Sequence, residues 1–291
     1  MGSKLNLQQV KHKLAVARER YKEFRVYDLG TYAVNRFIAK TGYRIQHDVS
    51  YGEAARHSLD LYLTEQPRQG QPLIVFVHGG AWSHGDKKDY RFVGEAFATE
   101  GFDVAVINYH LAPSHIFPSS IDDLSLALNY LHAQQQQHQI STQNIVLLGH
   151  SAGAFNVMSA LYHPTPYALD CKANIRAAIG LAGPYHFDYK GDPLCADAFD
   201  QCLHYSHVMP YYFVEANSIK HYLFVAANDT IVHPKNALDF DQALKAKGNH
   251  SVIVNIARTG HISLMGSVAH LFSRYFATKK QILAAIDEAL A

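Results

Sequence analysis

Cysteine is scarce in this sequence. There are three in 291 residues, Cys171, Cys195 and Cys202. They cannot all pair within the chain and lack metal-site spacing, so they read as buried or incidental thiols of a reducing compartment. Charge of one sign is lacking too: 26 Lys+Arg stand against 25 Asp+Glu, for a formal net charge of +1. That balance removes the electrostatic case for a nucleic-acid partner. Long apolar runs are missing. The longest, near residues 73–77 and 179–182, are far too short to cross a bilayer, so no stable membrane insertion is expected. The first residues hold no apolar signal-type segment, and Asn6 stands where a myristoylation motif wants Ser or Thr. A cytoplasmic location is the expectation. The glycines form no dinucleotide fingerprint, and no histidine or carboxylate cluster has free ligand spacing, so neither a cofactor nor a metal is expected.

What is present suffices for a sizeable core. Apolar residues make up 48% of the chain and charged ones 18%, which excludes disorder as the dominant state. Residues 4–25 carry Leu7, Val10, Leu14 and Ala17 at helical spacing with Lys and Arg between them. This predicts a basic amphipathic helix within an N-terminal extension, residues 1–42. Such a helix packs on the body, covers a site mouth or touches a membrane surface.

From Tyr43 onward, short β-rich runs alternate with helical stretches. Strands are expected over residues 44–49, 58–63, 73–77, 103–109, 144–148, 177–181, 222–226 and 251–256. Helices are expected over residues 91–100, 120–136, 152–161, 234–247 and 264–277. Several strands are almost uniformly apolar, as strands buried on both faces are. The fold class is therefore α/β: a mostly parallel, eight-stranded sheet with helices on both faces, in one domain over residues 1–291. Residues 183–218 break the rhythm with turn residues, aromatics and no clear period. A connection of that length is usually functional or mobile, and a small cap insertion over the strand ends is expected there.

Two motifs carry chemistry. Gly149-His150-Ser151-Ala152-Gly153 follows an expected strand and precedes an expected helix. A serine in so tight a strand-to-helix turn needs small residues two positions either side, and its Oγ then stands clear of the sheet edge as a nucleophile. His78-Gly79-Gly80-Ala81-Trp82 follows the strand at residues 73–77. Attack on a carbonyl builds an oxyanion that preorganised N–H groups must hold. Gly79, Gly80 and Ala152 are the expected donors. The serine needs a base, and the base an orienting acid. Asp229, three residues past the strand at 222–226, is preferred over Asp188, and over Asp239 and Asp241 on an expected helix. His261, just past the last strand, is preferred over His250 and His270. Trp82, the one tryptophan, either packs in the core or lines a substrate-binding acyl pocket. Tyr185, Phe187, Tyr205, Tyr211, Tyr212 and Phe213 form an apolar wall or anchor the long segment, with the wall slightly favoured.

These residues together resemble the α/β-hydrolase superfamily, and within it the hormone-sensitive-lipase-like carboxylesterases. The resemblance rests on His78-Gly79-Gly80, Tyr109-His110-Leu111-Ala112-Pro113, Phe117-Pro118 with Asp122-Asp123, and Gly149-His150-Ser151-Ala152-Gly153. It implies Ser151 as nucleophile, Asp229 and His261 as its partners, and Gly79, Gly80 and Ala152 as oxyanion donors. His110 departs from the Arg usual there, Ala81 from a third glycine, and His150 from an Asp that often precedes the serine. His-Gly-Gly-Ala-Trp and Gly-His-Ser-Ala-Gly are similar also to kynurenine formamidases. The expected function is a serine carboxylesterase for short- to medium-chain acyl esters, with kynurenine formamidase as the alternative. A non-catalytic binding protein on the same fold is the rival of another class. A lipase fits less well, because the cap candidate carries Asp188, Lys190, Asp192, Asp197 and Asp200. The expected partner is a small-molecule ester; no oligomeric state follows from the sequence.

Overall fold

Strands with no polar face must be covered twice, and this dictates the layers. The computed structural model describes residue 35 and residues 41–164 and 167–291. The helix expected over residues 4–25 lies outside the described residues. The strands are β1 (Tyr43–Ser50), β2 (Ser58–Thr64), β3 (Leu73–Val77), β4 (Asp103–Ile107), β5 (Ile145–His150), β6 (Ile175–Leu181), β7 (Lys220–Ala226) and β8 (Ser251–Ile256). They form one eight-stranded sheet in the order β1-β2-β4-β3-β5-β6-β7-β8. β1 with β2 and β2 with β4 are antiparallel, and the remaining pairs are parallel. The expected eight-stranded, mostly parallel sheet is the one observed.

Alternate residues of the strands feed two cores. Leu73, Val75 and Val77 face helices Ser119–Ala133, Ala152–Tyr162 and Lys235–Ala246. Ile74 and Phe76 face helices Arg91–Ala98 and Thr278–Leu290 on the opposite side. Every residue of β3 and β4 is buried, which is why they read as continuous apolar runs rather than alternating ones.

The C-terminal region differs from expectation. The helix foreseen over residues 264–277 is instead two short pieces, His261–Gly266 and His270–Ser273, followed by the unforeseen helix Thr278–Leu290. The Ser267 hydroxyl donates to the Leu264 carbonyl and meets Thr278 Oγ1 at 2.6 Å. Ala269 then turns extended, with φ −56° and ψ 144°. A serine hydroxyl that competes for helix carbonyls ends the helix there. Ile282, Ala285 and Ile286, at helical spacing, are the signal for the last helix, and all three are buried.

Residues 183–218, expected as a cap, hold two short 3₁₀ turns, Tyr205–His207 and Pro210–Phe213. Tyr189, Cys195, Ala198, Phe199, Val208 and Met209 from this segment pack with Trp82, Ala152 and Phe155 in a third apolar cluster.

Candidate active site

Parallel strands end on a common edge, so residues just past β3, β5, β7 and β8 meet although the chain separates them widely. Ser151 follows β5 with φ 53° and ψ −121°, a conformation L residues rarely adopt. The turn is possible because the residues two positions either side, Gly149 and Gly153, have no side chains. A Cβ on Gly149 would lie 2.4 Å from the Gly153 carbonyl oxygen, and one on Gly153 would lie 2.1 Å from that of Val77. The glycines of the motif let the helix Ala152–Tyr162 sit against the sheet with the serine at its N-terminus.

His261 Nε2 lies 2.8 Å from Ser151 Oγ, and its Nδ1 lies 2.9 Å from Asp229 Oδ2. An ionised carboxylate only accepts, so Nδ1 carries the proton and Nε2 is free to accept from the serine. Asp229 Oδ1 accepts the backbone N–H groups of Ile231 and Val232, each at 2.9 Å. Burial pushes the Asp229 carboxyl up, but the His261 bond and charge and the two N–H groups outweigh it and hold it below its ordinary value. The structure thus brings Ser151, His261 and Asp229 together. It does not bring Asp188 there: its carboxylate is exposed and accepts the Lys190 N–H. Asp239 pairs with His186 and Lys235, and Asp241 with Lys245. His270 opens a short helix, and His250 pairs with Glu288.

The expected oxyanion donors stand around the serine. Ala152 opens the helix after Ser151, where N–H groups have no carbonyl partner within the helix. Gly80 borders a small recess with Ser151 and His261. Its φ of +126° and the position of a Cβ, 2.2 Å from the His84 carbonyl oxygen, admit glycine alone. A Cβ on Gly79 would lie 3.1 Å from Ser151 Cβ, so this backbone lies against the serine. Among the described residues, the Gly79, Gly80 and Ala152 N–H groups donate to no backbone carbonyl.

His150, the residue before the serine, is a contributor to which the sequence reading assigned no role. Its Nε2 lies 3.1 Å from the His261 carbonyl oxygen and so donates to it, bracing the loop that carries the imidazole. Burial drives its pKa down to about 3, so it donates as a neutral ring.

A cavity of about 220 Å³ opens beside Ser151 and His261, lined by Trp82, Phe187, Leu194, Ile231, Val232 and neighbours, with Asp192, His233 and Asn236 as its polar members. Trp82 fills both roles considered for it: it is 6% exposed, packed within an apolar cluster, and it borders this cavity. The aromatic wall needs correction. Of the six aromatics named, Phe187 lines the cavity. Tyr185 stacks on Phe240, while Tyr205, Tyr211 and Tyr212 surround His186, and Phe213 meets His163. The other five lie off the cavity in these ring contacts, and Tyr212 is 42% exposed.

Among the described residues, His57, His110 and Asp123 form a group with metal-ligand atoms close together. Both Asp123 oxygens are already engaged, by His57 Nε2 and by the ring and backbone N–H of His110. His110 therefore contacts Asp123 despite replacing the usual Arg, and the trio is a hydrogen-bonded brace between segments. Cys171 and Cys195 are buried and Cys202 is exposed, and none of the three forms a disulfide. No helix among the described residues is long and apolar enough to cross a membrane.

Several known proteins are similar to this chain in sequence or fold. The kynurenine formamidase of Danio rerio is 26% identical over 225 residues, covering 75% of this chain and 75% of that protein. A probable isoprenylcysteine alpha-carbonyl methylesterase of Oryza sativa subsp. japonica is 29% identical over 153 residues, half of this chain. The chain spans 36% of that rice protein's length. Esterase B from Lactobacillus rhamnosis shares the fold with a TM-score of 0.75 at 16% identity, over 96% of this chain and 95% of that one. A bacterial heroin esterase does so with a TM-score of 0.72 at 18% identity, over 92% and 90% of the two chains. The α/β-hydrolase fold is thus shared with solved esterases. The BD-FAE family model matches residues 59–244, well over half of the chain, and the protein belongs to that family.

Proposed function

We propose that the protein is a serine carboxylesterase acting on short- to medium-chain acyl esters. Esterase-like α/β-hydrolase chemistry is supported by the relatives named as a methylesterase and a formamidase and by the fold shared with solved esterases. The observation that carries the finer reading is the continuous relay Ser151–His261–Asp229, with contacts of 2.8 and 2.9 Å. His261 takes the serine proton as Oγ attacks the ester carbonyl, and Asp229 holds the tautomer and stabilises the imidazolium. The oxyanion sits against the N–H groups of Gly79, Gly80 and Ala152. His261 then protonates the leaving alcohol, and a water it activates releases the acid from the acyl-enzyme. The cavity beside the serine, at about 220 Å³, has room for a short or medium acyl chain.

Ser151→Ala is expected to abolish both turnover of p-nitrophenyl butyrate and labelling by a fluorophosphonate probe. Labelling that survives the substitution removes Ser151 from the nucleophile's role. A second reading, kynurenine formamidase, is favoured by the zebrafish relative, whose match spans three quarters of both chains. It uses the same residues on an aryl formamide. Comparing kcat/KM for N-formylkynurenine with that for p-nitrophenyl acetate, butyrate and octanoate separates the two. A peak on the short or medium esters supports the carboxylesterase, and preference for the formamide replaces it. No Ser151-dependent turnover of any of them, in folded protein, favours a binding protein on this fold.

A further inference from the structure

We propose that Asn156 is a positioning residue of this site: its amide oxygen holds the Trp82 indole, and through it the left-handed turn that follows the oxyanion glycine. The role in activity rests on the serine-hydrolase reading; the contact itself does not.

Three consecutive residues, Gly80, Ala81 and Trp82, have positive φ, at 126°, 50° and 59°. Alanine and tryptophan rarely adopt such angles, and a run of this kind persists only where its surroundings over-determine it. The backbone supplies part of the restraint. Gly80 O accepts from Ser83 and His84, and Trp82 O accepts from Ala112 at 2.9 Å. The side chain supplies the rest. Trp82 Nε1–H donates to Asn156 Oδ1 at 3.0 Å, and the ring is set edge-on to Phe155 and Phe199.

Asn156 is fully buried on the helix Ala152–Tyr162, which begins directly after Ser151. Its Oδ1 also accepts from Ser120 Oγ at 3.1 Å. An indole N–H only donates, so the amide oxygen must face it. The amide nitrogen has no partner among the described residues. A leucine would fill the same space without burying an unsatisfied donor. What Asn156 adds over leucine is an acceptor for the indole. The consequence is geometric: the cavity wall and the oxyanion turn are tied to the same helix that carries the nucleophile. Trp82 borders the cavity together with Ser151 and His261, so freeing the indole loosens the cavity wall and the oxyanion turn together.

The test uses Asn156→Leu, with the single tryptophan as a built-in probe. Acrylamide quenching of Trp82 fluorescence should rise about threefold as the indole loses its anchor. The kcat/KM for p-nitrophenyl butyrate should fall about tenfold, mostly in kcat, because a small misplacement of oxyanion donors costs that much or more. In a Trp82→Phe background the same substitution should leave kcat/KM unchanged. Ser120→Ala, which leaves Asn156 one donor fewer, should raise quenching in the same direction and less. Unchanged quenching in folded Asn156→Leu overturns the proposal, as does an equal activity loss in the Trp82→Phe background. If Asn156→Leu does not fold, Ser120→Ala decides, and unchanged quenching there overturns it. Quenching needs no substrate, so it reads the contact even if no ester is turned over.

Discussion

Asp229 shows how a single carboxylate acquires a task from its neighbours. Both oxygens are spoken for, Oδ2 by His261 and Oδ1 by two backbone N–H groups. The side chain is only 2% exposed. An asparagine at this position presents either an acceptor with no charge or a donor that forces the wrong imidazole tautomer. Asp229→Asn should therefore lower kcat on p-nitrophenyl butyrate by about 10⁴-fold with little change in KM. Retained kcat would assign the orienting acid elsewhere. Gly80 is the corresponding backbone case. Its left-handed φ and the His84 carbonyl at 2.2 Å from a built Cβ mean that Gly80→Ala must move the turn. A loss of about 10²-fold in kcat is expected, the scale of losing one oxyanion donor, read with the same ester.

At the scale of elements, the C-terminal helix Thr278–Leu290 is the piece that sequence periodicity left out, yet it closes one face of the sheet. Ile282 and Ile286 are fully buried in the core it shares with Ile74, Phe76 and Val104. Ile286→Ala should cost about 2–5 kcal/mol, the usual range for emptying such a site. A shift of the urea midpoint at constant slope measures it. Activity in buffer should persist, since the helix packs on the sheet and away from Ser151, His261 and Asp229. A midpoint shift too small for that loss would mean that the helix packs loosely. The helix was hidden because the preceding apolar residues, Leu264, Met265 and Val268, also fall at helical spacing. Their pattern extends past a break that depends on the Ser267 hydroxyl meeting Thr278, a contact between helices.

At the scale of the whole molecule, His78, His150 and His221 are buried in neutral form. Burial lowers His78 to about 4, His150 to about 3 and His221 to about 4. On unfolding each returns to roughly 6.5 and binds a proton that the folded state refuses. Stability from these groups is thus complete above about pH 6.5 and is lost as pH falls toward their folded values. Each contributes a slope of up to about 1 kcal/mol per pH unit across that window. Asp229, held low in the fold, adds a loss below the carboxylate range in the same direction. Urea midpoints measured between pH 8 and pH 5 should decline steadily below pH 6.5. A flat profile would show that these rings are protonated in the folded protein or solvated more than their burial implies.

By itself the sequence determined the strand count, the parallel sheet and the residues that meet at its edge. Those follow from local rules: apolar runs of strand length, glycines where a Cβ has no room, and the fact that parallel strands end together. Ser151, Asp229 and His261 were legible because each lies within five residues of a strand's end. Other features were decided by the tertiary structure alone. The Trp82–Asn156 contact joins residues 74 positions apart, and the brace from His150 to the His261 carbonyl spans 111. Which aromatics of residues 183–218 face the cavity also depended on how an aperiodic backbone turns. No periodicity encodes such encounters, because they depend on where two separate elements place their side chains once the sheet has brought them together.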